Sequence, residues 1–202
     1  MIVKQIWTAN PYRNFNYLVA CAETGEALAI DPLDSDKCLK AAKEEGWDIT
    51  QILNTHEHFD HIGGNEAVVA ATGAKVLAHA KAGGSIPGMF RGLIAGDIIK
   101  VGKTVELEAL DTPGHTMCHI CLCAHTDQPA LFSGDTLFNA GAGNCHNGGN
   151  AQALYNTKLK HFQDARIETL KEAHKQQMMF EYQQYLAERE KRLQAYEKKI
   201  RA

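Results

Sequence analysis

The sequence has no apolar run long enough to cross a membrane, and its first residues lack the apolar stretch of a signal peptide. It also lacks an excess of basic residues. Because the net charge is −3 and the isoelectric point is near 6.4, we expect neither nucleic acid nor a membrane surface as a partner. Six cysteines are scattered along the chain, which favours reduced thiols over a disulfide framework. These absences predict a cytoplasmic globular protein.

The C-terminal part of the chain lacks the residues that build strands and turns. No glycine follows Gly149, no proline follows Pro129 and no valine follows Val105. Residues 165–202 contain nine Lys and Arg against six Asp and Glu, a net charge of +3 that leaves −6 for residues 1–164. This shift predicts one domain over residues 1–164 and a long polar helix over residues 165–202. Self-association through that helix is an open alternative.

A Gly-x-Ser-x-Gly motif, which would supply a serine nucleophile, is also absent, whereas metal-binding side chains are concentrated in one stretch. Three imidazoles and a carboxylate fall within six residues, at His56, His58, Asp60 and His61. In an extended segment His56 and His58 face the same way and can share one ion. Asp60 and His61 follow a turn and can face a second ion. A solvated loop that is rich in histidine is the alternative interpretation.

Two later turns carry further candidate ligands. Pro113 and Gly114 end a predicted strand sharply, which places His115 at its end. Asp135 follows another predicted strand and a glycine. Taken alone, His115 would be interpreted as an ordinary turn residue, and Asp135 as a residue that caps a turn. Together with the first stretch they give four imidazoles and two carboxylates at strand ends, where functional groups gather on α/β scaffolds.

Apolar periodicity predicts strands and helices in alternation. A first helix, capped by Ser35 or Asp36, is predicted to run to about Glu45, and a second over residues 65–72 is predicted to be capped by Asn65. Residues 81–96 predict a long surface loop of the kind that covers active sites. The cysteine-rich run 118–124 has a strand pattern, which favours core thiols over a thiolate metal site. The predicted strands cover residues 2–7, 16–21, 27–30, 49–54, 74–78, 97–101, 104–110, 119–124 and 130–133, the first three as an antiparallel meander.

Three motifs resemble the signature of the metallo-β-lactamase superfamily, namely Thr55 to His61, Gly114-His115 and Gly134-Asp135-Thr136. The residues around the last two are most similar to those of glyoxalase II, the hydroxyacylglutathione hydrolase family. The resemblance covers roughly residues 2–155. It implies an α/β (α+β) fold of the αββα four-layer sandwich type, with a metal-hydrolase domain over residues 1–164.

The resemblance also implies two divalent metal ions, with zinc as the default and iron or manganese as alternatives. One ion would bind His56, His58 and His115, the second would bind Asp60 and His61, and Asp135 would bridge them. Such a pair can supply hydroxide at neutral pH and polarise a carbonyl. The implied activity is hydrolysis of a small-molecule thioester, such as an acyl-glutathione, by metal-bound hydroxide and without a side-chain nucleophile.

The chain departs from the glyoxalase II pattern in two places. That pattern has a last histidine for the second metal in a Gly-His-Glu or Gly-His-Asp segment, and no such segment occurs here. His174 falls at about the matching distance, but its predicted helix favours a packing role. Asn144 and His146 stand where the family holds glutathione, and are candidate substrate-binding residues. Two alternatives stay open, a mononuclear-iron persulfide dioxygenase and a truncated, non-catalytic relative with a helical interaction tail.

Overall fold

Two β-sheets packed face to face form the centre of the fold, which a computed structural model describes over residues 1–126, 129–138, 141–162 and 189–190. The larger sheet has six strands: β1 Ile2–Trp7, β2 Phe15–Ala20, β3 Glu26–Ile30, β4 Asp48–Leu53, β5 Lys75–His79 and β6 Met89–Leu93. The smaller sheet has four: β7 Ile98–Val101, β8 Val105–Asp111, β9 Ile120–Ala124 and β10 Ala130–Phe132. The helices are α1 Ser35–Glu45, α2 Phe59–Ile62, α3 Asn65–Thr72 and α4 Ala151–Phe162.

The larger sheet is buried on both faces, as the alternation of side chains along β2 shows. Leu18 and Ala20 belong to an apolar cluster that also holds residues of α1 and α3. Val19 belongs to a second cluster, shared with Leu107 and Leu122 of the smaller sheet. Strands covered on both faces read as continuous apolar runs rather than alternating ones. The layers are therefore helices, the six-stranded sheet and the four-stranded sheet, which confirms the predicted α/β sandwich.

Strand direction explains where functional groups collect. Strands β1 to β3 pair antiparallel, as the sequence predicted, and β3 to β6 pair parallel. The smaller sheet is antiparallel throughout, in the order β10-β9-β8-β7. The carboxyl ends of β3 and β4 therefore lie side by side at one edge of the larger sheet, the position where open α/β sheets bind ligands.

The prediction of an irregular loop over residues 81–96 was wrong, because this segment contains β6. The strand is short, lies at the edge of the sheet and includes a glycine, and each of these features weakens a sequence signal. Gly92 is required there, since a Cβ on it would lie 2.8 Å from Cα of Ala80. All six cysteines are free thiols, and Cys121 and Cys123 lie buried in β9, as the apolar pattern predicted.

Both predicted helix caps were wrong as well. The side chain of Asp34, one residue earlier than expected, accepts from the backbone N–H of Lys37 at 3.1 Å and caps α1. Helix α3 follows Gly64 and has no side-chain cap. Asn65 is buried instead, and its amide donates to Oδ1 of Asn54 at 2.7 Å. Asn65 thus stabilises the loop that leaves β4.

Helix α4 packs against the turn that follows β8. The hydroxyl of Thr157 donates to the carbonyl of Pro113 at 2.7 Å, and a Cβ on Gly114 would lie 2.4 Å from Cα of Leu154. The predicted helix over 165–202 lies outside the described residues apart from 189–190, and so does His174. Within the described part of the chain, no helix is long and apolar enough to cross a membrane.

Candidate metal centre

Loops from both sheets meet at the carboxyl end of β4. Residues 54–58 leave β4, His115 lies in the turn after β8, and Asp135 lies in the turn after β10. The backbone N–H of Ile120, at the start of β9, donates to the carbonyl of Thr55 at 2.9 Å. This bond ties the smaller sheet directly to the histidine-rich loop. The convergence of strand ends that the sequence suggested is therefore present.

Three imidazole nitrogens face one another in a first group. His58 Nδ1 lies 3.1 Å from Nε2 of His56 and 3.0 Å from Nε2 of His115. Two nitrogens bound tetrahedrally to one zinc ion at the usual bond length are about 3.3 Å apart. The spacing of the three nitrogens therefore fits a shared metal ion.

The hydrogen bonds behind these rings fix their tautomers. The carbonyl of Asn144 lies 2.5 Å from His115 Nδ1, and the carbonyl of Asn147 lies 3.1 Å from His58 Nε2. Because a carbonyl only accepts, these two ring nitrogens carry the protons. The opposite nitrogens, which face the group, keep their lone pairs. Metal-binding histidines are held in this way by partners of the second ring nitrogen.

His56 is oriented through a chain of two hydrogen bonds. The hydroxyl of Thr55 donates to Oδ2 of Asp31 at 2.7 Å, so its oxygen accepts from Nδ1 of His56 at 3.0 Å. Nε2 of His56 thus also directs a lone pair into the group. Burial and the neighbouring histidines lower the pKa of His56 well below its usual value, and burial lowers the pKa of His115. These two rings are therefore neutral, as a metal ligand must be.

Asp135 joins this group to a second one. Its two carboxylate oxygens lie 3.4 Å from Nε2 of His115 and 3.4 Å from Nε2 of His61. His56, His61 and Asp135 offer ligand atoms that all lie within 4.8 Å of one another. Asp135 therefore lies between the two groups, in the arrangement that a bridging ligand requires.

His61 and Asp60 complete the second group. Burial opposes protonation of His61, but the negative charges of Asp31 and Asp135 and their hydrogen bonds raise its pKa to about 10. A metal ion bound at Nε2 of His61 would therefore have to displace a proton. Oδ2 of Asp60 lies 3.8 Å from Nε2 of His61. The amide of Asn14 donates to that same carboxylate oxygen at 3.0 Å, which holds Asp60 toward the group.

Three residues around the centre carried no sequence signal strong enough to be identified. Asp31 follows β3 directly. Asn14 precedes β2 in a loop. His119 was assigned to a strand, but it is fully buried, stacks on the ring of His56 with centroids 5.1 Å apart, and accepts from the backbone N–H of Asp135 at 3.2 Å. One signal was available for Asp31: it is an acidic residue directly after a strand, as Asp135 nearly is, and this position could have marked it as a candidate.

The groups open into a cleft of about 930 Å³. Asn144 and Asn147 line it, whereas His146 is exposed and is not among the lining residues. The side-chain oxygen of Asn144 accepts from the backbone N–H of His146 at 3.0 Å. A substrate role for Asn144 and His146 stays a prediction. Phe59 points away from the groups and is 78% exposed.

This chain is similar to several known proteins. The family model for the metallo-beta-lactamase superfamily matches residues 17–172. A hydroxyacylglutathione hydrolase from Polaromonas sp. is 75% identical over 157 residues, which cover 78% of this chain and 60% of that protein. The chain thus spans about 60% of the length of this relative.

Two solved structures are similar over most of the described residues. The crystal structure of ETHE1 from Myxococcus xanthus has a TM-score of 0.71 and 29% identity, and the match covers 80% of this chain and 69% of that one. The crystal structure of TTHA1623 in a di-iron-bound form has a TM-score of 0.64 and 28% identity, with 78% and 84% of the two chains covered.

Proposed function

Because this chain belongs to the metallo-β-lactamase superfamily, we propose that it is a metal-dependent hydrolase of a thioester such as an acyl-glutathione. One observation carries the proposal: five donor side chains from both sheets meet as two groups, Asp135 lies between them, and the carboxylate of Asp60 lies 3.8 Å from Nε2 of His61. The name of the Polaromonas relative, hydroxyacylglutathione hydrolase, supports the substrate class.

We propose that the two groups hold two divalent ions. His56, His58 and His115 bind the first ion, Asp60 and His61 bind the second, and Asp135 binds both. Zinc suits these nitrogen and oxygen ligands, as iron and manganese do, and the similar structure of TTHA1623 holds two irons. When bound, paired divalent ions acidify a water molecule and polarise a substrate carbonyl.

The hydroxyl groups near the centre have structural partners rather than catalytic ones. Ser133 donates to the carbonyl of Leu137 at 2.9 Å, and Thr55 donates to Asp31. The hydroxyl of Thr55 also accepts from Nδ1 of His56, so it belongs to the network that orients this ring. This supports a reaction in which water is the nucleophile and the side chains orient the groups that activate it.

The remaining expectations complete the proposal. We propose residues 1–164 as the catalytic unit and a helical extension over residues 165–202, most of which lie outside the described part of the chain. We also propose that the protein acts in the cytoplasm on a small molecule. The last metal-binding histidine of the glyoxalase II pattern is missing from the sequence. The second ion is therefore the weaker bound of the two, because its group has one imidazole, that of His61, where the first has three.

Elemental analysis and thiol release from an acyl-glutathione test the proposal. The purified full chain should hold close to two ions and hydrolyse the thioester, and His58→Ala should weaken binding of the first ion at least tenfold and abolish turnover. The matched control is His125→Ala, since His125 is paired with Glu108 at the surface, outside the cleft. A chain with two ions and no thioester hydrolysis would refute the proposal. One iron per chain with oxygen consumption on a persulfide would indicate a dioxygenase instead.

A further inference from the structure

The loop between β1 and β2 forms one wall of the cleft and is held by its own hydrogen bonds. The hydroxyl of Thr8 donates to the carbonyl of Asn14 at 2.8 Å. The backbone N–H of Arg13 donates to the carbonyl of Asn10 at 3.1 Å, and the side chain of Asn10 accepts from the N–H of Asn14 at 3.1 Å. Because Asn14 also donates to Asp60, the loop has a fixed position relative to the two groups of donors.

Arg13 has an unusual backbone conformation in this loop. Its φ is +63°, a left-handed value that glycine adopts freely and that costs other residues about 1 kcal/mol or more. The hydrogen bonds on either side over-determine this conformation. A residue that is kept in an unfavourable conformation beside a cleft, although glycine would fit the backbone better, points to a function of its side chain.

The charge distribution in the cleft indicates what that function is. Asp31, Asp60 and Asp135 are the acidic residues among its lining residues, and Arg13 is the one Lys or Arg among them. None of the ion pairs between described residues involves Arg13, and the residue is exposed. Its guanidinium is thus available to an anionic group that enters the cleft.

We propose that Arg13 is an anion-binding residue that recognises a carboxylate of the substrate at the mouth of the cleft. This inference rests on the proposed thioester hydrolase function. A guanidinium binds a carboxylate through two parallel hydrogen bonds, and the thiol half of an acyl-glutathione carries two carboxylates. Arg13 therefore selects the thiol half rather than the acyl group. Tyr12, which lines the cleft and is 74% exposed, provides an apolar surface beside it.

Binding of S-methylglutathione to the zinc-loaded full chain, measured by calorimetry, tests this residue directly. The thioether blocks coordination by the thiol, and the dimethyl ester of the same compound removes both carboxylate charges. Arg13→Ala should weaken binding of the acid about tenfold, as expected for a charged hydrogen bond at a solvent-accessible position, and should leave the affinity of the ester unaltered. Arg13→Lys should lie between the two, because an ammonium keeps the charge without the planar pair of bonds.

Arg91→Ala is the matched control, since Arg91 is exposed on β6, pairs with Asp97 and does not line the cleft. Equal affinity of the parent and Arg13→Ala for the acid would overturn the inference, and so would an equal loss for acid and ester. Hydrolysis of a neutral thioester of N-acetylcysteamine separates the two proposals. If the parent chain cleaves it while Arg13→Ala binds the acid normally, the function stands and the role of Arg13 fails. If the parent cleaves no thioester and binds neither ligand, both fail.

Discussion

Replacement of Asp31 by asparagine should separate the hydrogen-bond network behind the centre from the centre itself. Asp31 accepts three hydrogen bonds. Two come from Thr55, from its backbone N–H at 2.8 Å and its hydroxyl at 2.7 Å, and the third comes from Nδ1 of His61 at 2.9 Å. Asp31 itself has φ of +48°. Asparagine tolerates this region better than most residues, so the substitution changes the hydrogen bonds without adding backbone strain.

An amide can satisfy only part of this network. In one orientation its NH₂ faces the backbone N–H of Thr55, so that a buried donor loses its acceptor. In the other orientation the NH₂ faces His61, whose proton must then move to Nε2 and occupy the nitrogen that faces the metal groups. The first outcome lowers the free energy of unfolding by about 1–3 kcal/mol. The second weakens metal binding about 10- to 100-fold, or about 1.4–2.7 kcal/mol.

Two measurements check these magnitudes. Urea unfolding in the presence of a chelator gives the stability of the metal-free chain, and competition with a chromophoric chelator gives the affinity for zinc. The control is Asp48→Asn, an exposed carboxylate at the start of β4, which should alter neither quantity by more than about 0.5 kcal/mol. An Asp31→Asn chain with the stability and zinc affinity of the parent would refute the role assigned to this network.

Three further substitutions or treatments test individual contacts. Gly143→Ala would place a Cβ 2.4 Å from Nδ1 of His115, so unfolding in urea should show a loss of about 1–3 kcal/mol; unchanged stability would contradict the close approach. His119→Phe removes the acceptor for the backbone N–H of Asp135 and should lower the affinity for zinc. His119→Gln keeps an acceptor and should lower that affinity less. Equal zinc affinities of the parent and both variants would contradict the contact. Burial raises the pKa of Cys38 to about 12, so mass spectrometry should find this thiol unmodified by iodoacetamide at pH 8 until urea unfolds the chain, and modification in the folded state would contradict its burial.

Local patterns predicted most strands, but not the features that depend on distant residues. The apolar run before the histidine-rich loop identified β4 because a strand buried on both faces has a continuous apolar sequence. The run that forms β6 has no such pattern. Among the described residues this strand lies at the edge of the sheet, and it contains Gly92 because the backbone of Ala80 leaves no room for a Cβ. The cap of α3 failed because Asn65 found a tertiary partner in Asn54.

The donor side chains could be predicted because each follows a strand, and strand ends that share an edge bring their loops together. The residues that orient them could not, because those contacts join segments far apart in the chain. Asp31 is 30 residues from His61, and Asn144 is 29 residues from His115. No local spacing encodes such pairs. The second of them also uses a backbone carbonyl, which every residue type possesses.

The segment 143–147 holds the first group of histidines through main-chain atoms alone. Its carbonyls accept from His115 and His58, and the N–H of Gly143 donates to the carbonyl of Asp135 at 2.7 Å. Exchanging a side chain at positions 144–147 leaves all three bonds intact, whereas inserting or deleting one residue shifts every one of them. Point substitutions at these positions can therefore alter ligand preference during evolution or laboratory selection. The length of the segment, in contrast, must stay constant.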